Sequence, residues 1–118
     1  MVLSVALLSG CGKSVVPEGA EYSFFSDSMI AEELGTITEL HDATLKALKS
    51  LELPIAYDKK DNLVALVQTF TATGQSIKIL IEYRNVDVTQ LTLSSPDDVD
   101  EYKLTGLLEE IRRNMSII

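Results

Sequence analysis

The sequence predicts an α+β domain in which an antiparallel sheet of four to five strands carries two helices on one face, in the order β-α-β-β-β-β-α. Three observations predict this fold. Segments with strand patterns follow one another through the middle of the chain with only short polar turns between them, which favours antiparallel hairpins. One amphipathic helical pattern precedes these strands and another follows them. Because each helix is apolar on one side only, both should cover the same face of the sheet and leave the other face open to solvent.

The first strand and the first helix are expected between residues 28 and 51. Ser28–Leu34 is a short strand candidate. Thr36 and Glu39 then have the spacing of a capping box, in which each side chain binds a backbone N–H group at the start of a helix. The helix should continue to about Leu51, because Pro54 blocks it. Its apolar stripe consists of Ile37, Leu40, Ala47, Leu48 and Leu51, with Thr44 in the same row.

The remaining strands and the last helix follow from alternation and turn residues. Four strands are expected at residues 53–57, 63–71, 76–84 and 88–93, with polar turns between them. The strand at 63–71 is apolar on both faces, which favours a central position in the sheet. Ser95 is expected to be the N-cap of the last helix, with Pro96 at its first position. The buried stripe of this helix is expected to be Leu104, Leu107, Leu108, Ile111 and Met115.

The N-terminal residues predict a lipid anchor. Residues 1–10 form an apolar run that is too short to cross a bilayer and is typical of the apolar part of a secretory signal. The run ends in Leu8, Ser9, Gly10 and Cys11, which resemble a bacterial lipobox: the small side chains let an extended backbone enter a peptidase cleft, and the Cys11 thiol accepts diacylglycerol. Secretory signals ordinarily begin with Lys or Arg, and neither precedes Cys11. An apolar strand with an incidental cysteine is therefore the alternative interpretation.

Cleavage before Cys11 predicts three parts of the chain: a signal segment at 1–10, a lipidated cysteine with a flexible tether at 11–27, and the α+β domain at 28–118. The tether begins with linker composition. Its aromatic residues are expected to pack on the domain or to begin its first strand, and they are Tyr22, Phe24 and Phe25.

The lipid would determine where the protein resides. Each buried CH₂ group of an acyl chain contributes about 0.8 kcal/mol, so the two or three chains of a lipoprotein anchor it firmly. In Gram-negative lipoproteins, a residue other than Asp after the cysteine permits export. Gly12 therefore implies the outer membrane, with the domain facing the periplasm. The expected partners are the membrane, through the N-terminal lipid, and other envelope proteins.

The chain as a whole resembles a family of small, uncharacterised bacterial envelope lipoproteins. The resemblance depends on the lipobox, on the Gly-containing tether and on the run ATLKAL at residues 43–48, which leads through Leu51 to LPI at 53–55. It covers the chain from about residue 28 onward, together with the lipobox. It implies a single β-meander domain with one helix on either side of the meander in sequence. It implies no catalytic residue, because none is established for that family.

Composition excludes several function classes. The net charge of −8 disfavours nucleic acids, because phosphate binding needs clustered Lys and Arg. It also disfavours a polybasic contact with anionic lipids. Cys11 is the only cysteine, so no disulfide can form within one chain.

Candidate chemical groups are few, and neither an enzyme nor a cofactor or metal site is expected. His41 is the only histidine, and it has no second ligand at metal-binding spacing and no nucleophile beside it. A surface or boundary position is expected for it. The acidic residues before the last helix lack the alternating oxygen ligands and the glycine of an EF-hand loop, so a helix start explains them better; they are Asp97, Asp98, Asp100 and Glu101.

The best candidate for a functional surface is the open face of the sheet. Lys78, Glu82 and Arg84 alternate with apolar residues and should share that face with Gln90. They either solvate an open sheet or form an interaction face. The leading hypothesis is a lipid-anchored, non-enzymatic structural or protein-interaction module. The alternative is a periplasmic module that binds a small molecule or peptide on the open face or in a groove between helix and sheet.

Overall fold

The structure is a computed structural model that describes residues 20–23, 28–97, 99 and 101–115. Two helices pack against one face of an antiparallel sheet, so the predicted α+β class is confirmed. The sheet has six strands rather than four to five. Several residues of the sequence predictions lie outside the described residues. They are the predicted signal segment, the predicted lipobox of Leu8, Ser9, Gly10 and Cys11, and the acidic residues Asp98 and Asp100.

The elements follow one another in the order β-β-α-β-β-β-β-α. They are β1 (Ala20–Ser23), β2 (Ser28–Leu34), α1 (Ile37–Ser50), β3 (Ile55–Lys60), β4 (Val64–Phe70), β5 (Ser76–Asn85), β6 (Val88–Ser94) and α2 (Glu101–Met115). Across the sheet the strand order is β1-β2-β6-β5-β4-β3, and every neighbouring pair is antiparallel. The predicted meander is therefore β3 to β6, and β2 joins it beside β6. The strand that is apolar on both faces, β4, lies inside the sheet next to the edge strand β3.

The additional strand, β1, lies in the segment that the sequence assigns to the tether. It forms a hairpin with β2, in which Ala20 lies opposite Ala31 and Ser23 lies opposite Ser28. Tyr22 lies in this strand. Phe24 and Phe25, for which the same position was expected, lie outside the described residues. A strand of four residues has too few positions to show alternation, so its sequence pattern resembles that of a linker.

The start of α1 has the predicted capping box. The Glu39 N–H group donates to the Thr36 hydroxyl at 3.1 Å, and the Thr36 N–H group donates to a Glu39 carboxylate oxygen at 2.9 Å. Gly35 precedes the cap with φ +143°, a conformation that side-chain-bearing residues rarely adopt. Its N–H group donates to the Asp87 carbonyl at 2.9 Å, which joins the start of α1 to the β5–β6 turn.

The edge strand β3 extends further than its sequence suggests, because the polar run after Tyr57 continues the strand. All six of its residues are exposed, as an edge strand permits. The turn begins at Asp61, whose carboxylate accepts from the N–H groups of Leu63 and Val64 at 3.0 Å each. These two backbone hydrogen bonds hold the pKa of Asp61 below its ordinary value of 3.8.

The prediction that Ser95 begins the last helix is wrong, because α2 begins at Glu101. The Ser95 hydroxyl instead donates to the Ser76 carbonyl, and it also accepts from the Asp97 N–H group at 2.9 Å. The Asp97 carboxylate accepts from the Ser76 N–H group at 2.7 Å. Residues 95–97 therefore connect the end of β6 to the start of β5, and this long-range contact competes successfully with the local helix signal.

The core lies between the two helices and the inner face of the sheet. In α1 the buried residues are Ile37, Leu40, Ala43, Thr44, Ala47 and Leu48, and in α2 they include Leu104, Leu107, Leu108 and Ile111. Alternate residues of the four central strands complete it, including Met29, Ala31, Ala65, Val67, Ile77, Ile79, Ile81, Leu91 and Leu93. The same alternation turns the other residues of each strand to the opposite side of the sheet.

Candidate interaction face

The open face is the side of the sheet opposite the helices. Its residues are the strand positions that alternate with the buried ones. The register of the strands places Lys78 opposite Gln68 and Ser94, and Glu82 opposite Gln90 and Val64. All four residues of the predicted interaction face, namely Lys78, Glu82, Arg84 and Gln90, lie on β5 and β6, the two central strands.

Three of these four residues are joined by hydrogen bonds. Arg84 donates to the Gln90 side-chain oxygen through Nε at 3.1 Å and through Nη2 at 2.7 Å. The Gln90 amide in turn donates to a Glu82 carboxylate oxygen at 3.4 Å. The positive and negative groups of this cluster are therefore held in place by one shared glutamine, which gives the face a fixed polar patch. Lys78 lies on the same face, one row of side chains beyond Leu80 along β5.

A row of side chains with three aliphatic members crosses the middle of this face, and the sequence pattern alone does not reveal it. It is here called the central row. Paired residues of all six strands form it, in the spatial order Glu21, Ile30, Thr92, Leu80, Leu66 and Lys59. Ile30 remains 40% exposed, although it is an aliphatic residue in a paired strand. Two features of the sequence indicate apolar residues on this face. Leu80 lies between Lys78 and Glu82 on the same side of β5, and β4 is apolar on both of its faces. Neither feature shows which residues of different strands become neighbours, because that depends on the strand order.

His41 lies at the helix side of the sheet, with 14% of its side chain exposed. Its Nε2 is 2.6 Å from an Asp58 carboxylate oxygen, so this contact joins α1 to β3. Asp42, the carboxylate next to His41 in sequence, instead pairs with Lys46 on the surface of α1 at 3.0 Å. Among the described residues, no group of three His, Cys, Asp or Glu side chains is arranged to hold a metal ion.

A groove opens on the helix side, between the end of α1, the β4–β5 turn and α2. Its volume is about 360 Å³, and Lys103 stands at its rim, where its amino group donates to the Gln75 side chain at 3.4 Å. The surface of the groove is almost wholly apolar, and the other lining residues are Leu51, Leu53, Thr71, Ala72, Ile77, Gly106 and Leu107. The exposure of Leu51, which the sequence places in the buried stripe of α1, is explained by its position at this opening.

Gly106 lies within α2, where glycine destabilises a helix by about 1 kcal/mol relative to alanine. From the sequence, close packing of α2 against a neighbouring element is expected to offset this cost. In the structure, no atom lies within 4 Å of the position that a Cβ of residue 106 would take. We therefore expect Gly106→Ala to raise the free energy of unfolding by about 0.5–1 kcal/mol. Urea denaturation measures this change. An unchanged or lower stability would show that the glycine has a packing role.

In the described part of the chain, neither helix is long and apolar enough to cross a membrane. A scan of the chain against protein-family models and a search of curated proteins both return no match.

Proposed function

We propose that this chain is a bacterial envelope lipoprotein that is cleaved before Cys11, carries lipid on that cysteine, and presents its domain to the periplasm from the outer membrane as a non-enzymatic protein-interaction module. One observation carries the proposal: Leu8, Ser9, Gly10 and Cys11 form a lipobox directly after an apolar run. Gly12 after the cysteine supports the outer membrane, because a residue other than Asp there permits export.

The start of β1 adds a distance limit to this proposal. Eight residues, 12–19, separate Cys11 from Ala20. Even a fully extended segment of that length spans at most about 30 Å. The lipid would therefore keep the domain close to the bilayer surface, and a partner of the open face would be an envelope component within that reach.

Two of the polar side chains that were candidates for chemistry, His41 and Asp97, make contacts within the described part of the fold. His41 contacts Asp58, and Asp97 accepts a hydrogen bond from the backbone of Ser76. Conversely, the open face combines a fixed polar patch with an apolar row, which is the composition of a protein-interaction surface. These contacts support an interaction module rather than an enzyme.

Membrane fractionation of the native host tests the anchor. The wild-type chain should sediment with membranes, and Cys11→Ser should be found in the soluble fraction because it has no thiol to accept the lipid. Ser9→Ala is the matched control: it keeps a small residue in the lipobox and should remain membrane-bound. Equal distribution of wild type and Cys11→Ser between the fractions would contradict the proposal.

The groove favours a second candidate function, the binding of a small apolar molecule. Its volume lies in the range of ligand pockets, which is roughly 300–1,000 Å³. No neighbouring atom requires a glycine at position 106, because the space beside it is open. A larger side chain at this position would occupy the groove. The fluorescent probe anilinonaphthalene sulfonate, which is apolar with one negative charge, should bind to the wild type and not to Gly106→Leu. Equal binding to both would exclude the groove as the site.

A further inference from the structure

We infer that the open face binds a second copy of this chain, face to face, around a two-fold axis that runs parallel to the strands. The inference deepens the proposed interaction module by naming its partner. It depends on the pairing of the six strands and on the residues that this pairing brings together on one face.

The central row is complementary to itself when its order is reversed. From one edge of the sheet to the other, it begins with the acid Glu21 and ends with the base Lys59. A two-fold axis along the strands reverses this order in the second copy. Glu21 then lies opposite Lys59 of the second copy at both edges. Between these ion pairs, Ile30 lies opposite Leu66, so aliphatic side chains cover each other there. Thr92 lies opposite Leu80, where the threonine can contribute its methyl group to the contact.

The orientation of the axis follows from the charges. A two-fold axis across the strands would place each residue of the central row over its own copy. Glu21 would then face Glu21, and Lys59 would face Lys59, which are two repulsive contacts. The axis along the strands gives two attractive contacts instead, and isologous contacts of this kind are the usual basis of homodimers.

The rows on either side of the central row give both favourable and unfavourable contacts with the same axis. On one side, Ser94 falls opposite Lys78 of the second copy, where a hydroxyl can accept from an amino group. On the other side, Gln90 falls opposite Glu82 of the second copy, so the amide that donates to Glu82 of its own chain also faces that carboxylate of the other copy. In the same row, Glu32 falls opposite Val64, which is unfavourable for a buried carboxylate. The row that contains Glu32 and Gln90 is therefore expected to form the solvated rim of the interface.

The size of the face limits the strength of the contact. Six strands spaced about 4.8 Å apart and three rows about 7 Å apart give roughly 600 Å² per copy. Two copies would bury about 1,200 Å² in total, which is at the lower end of the range for specific interfaces. A weak dimer with a dissociation constant on the order of 10 µM is therefore expected in solution, and anchoring on one membrane would raise its population.

Two further features indicate that the dimer forms through the open face rather than by pairing of edge strands. The edge strand β3 has Lys59 and Lys60 in succession, and such charges discourage pairing of edge strands. In addition, the axis along the strands makes β1 begin at the same end of both copies. Both tethers would therefore start on one side of the dimer, as two anchors in one membrane require.

Sedimentation equilibrium of the full chain with Cys11→Ser tests the inference without lipid. Glu21→Lys alone and Lys59→Glu alone each place like charges opposite each other and should weaken the dimer about tenfold. The double variant E21K/K59E should restore the dissociation constant to within about threefold of the starting value, because the pairs form again with reversed sign. Both positions are exposed, so circular dichroism should show an unchanged fold.

The control variants change charge by the same amount away from the open face. Asp42→Lys and Lys46→Glu lie on the exposed side of α1 and should leave the dissociation constant unchanged. A monomer at all concentrations up to about 1 mM would overturn the inference, as would a double variant as weak as the single ones. Because no lipid is present, this outcome is independent of the fractionation result that tests the anchor.

Discussion

Replacing Leu93 by alanine is expected to lower the free energy of unfolding by about 3 kcal/mol. Leu93 is fully buried on β6, between Met29 of β2 and Ile79 of β5, at the place where the sheet meets the helices. Truncation removes three carbon atoms from water-excluded contact and leaves a cavity that three paired strands cannot close. A domain of this size has a total stability of about 5–15 kcal/mol, so the loss is a large fraction of it.

Urea denaturation followed by circular dichroism measures this loss, and Leu34→Ala is the matched control. Leu34 lies in β2 and is 79% exposed, so its truncation should change the free energy of unfolding by less than about 0.5 kcal/mol. Similar effects of the two variants would mean that the helices do not cover the face of the sheet to which Leu93 belongs.

The second large effect is expected at the ion pair between α2 and β2. Arg112 donates to one Glu33 carboxylate oxygen through Nε at 2.9 Å and through Nη2 at 2.6 Å. Only 12% of the Glu33 side chain and 28% of the Arg112 side chain are exposed. Arg112→Ala would leave a largely buried carboxylate without this partner and is expected to lower the free energy of unfolding by about 2 kcal/mol.

A double-mutant cycle with Glu33→Ala, Arg112→Ala and the double variant separates the pair from its surroundings. The coupling energy is expected to be about 1–2 kcal/mol. The exposed pair of Asp42 and Lys46 is the matched control, since both side chains are more than 60% exposed. Its coupling energy should be below about 0.5 kcal/mol. Equal coupling in the two cycles would contradict the role of burial.

Local signals explain which parts of the fold can be predicted from the sequence. The capping box of Thr36 and Glu39 involves residues three positions apart, and the alternation in β5 is contained in ten residues. Both are read directly from the chain. The start of α2 is different, because Ser95 and Pro96 imitate a helix start. Only the distant backbone of Ser76 explains why the chain bends there instead.

The open face likewise has some features that local sequence predicts and others that depend on how the strands pair. Alternation alone assigns Lys78, Glu82 and Arg84 to one face, but the shared hydrogen bonds to Gln90 require the pairing of β5 with β6. The central row requires all six strands in order, including β1, which has no strand pattern of its own. The contact of His41 with Asp58 likewise joins residues 17 positions apart across the edge of the sheet.

Intact-mass spectrometry of the protein purified from membranes of its native host measures both the start of the mature chain and the lipid on Cys11. The chain is expected to begin at Cys11 and to exceed the mass of the polypeptide by a glycerol unit and two or three acyl chains. The Cys11→Ser variant should lack this excess mass. A wild-type chain that retains residues 1–10 and carries no acyl group would show that the protein is not a lipoprotein anchored through Cys11.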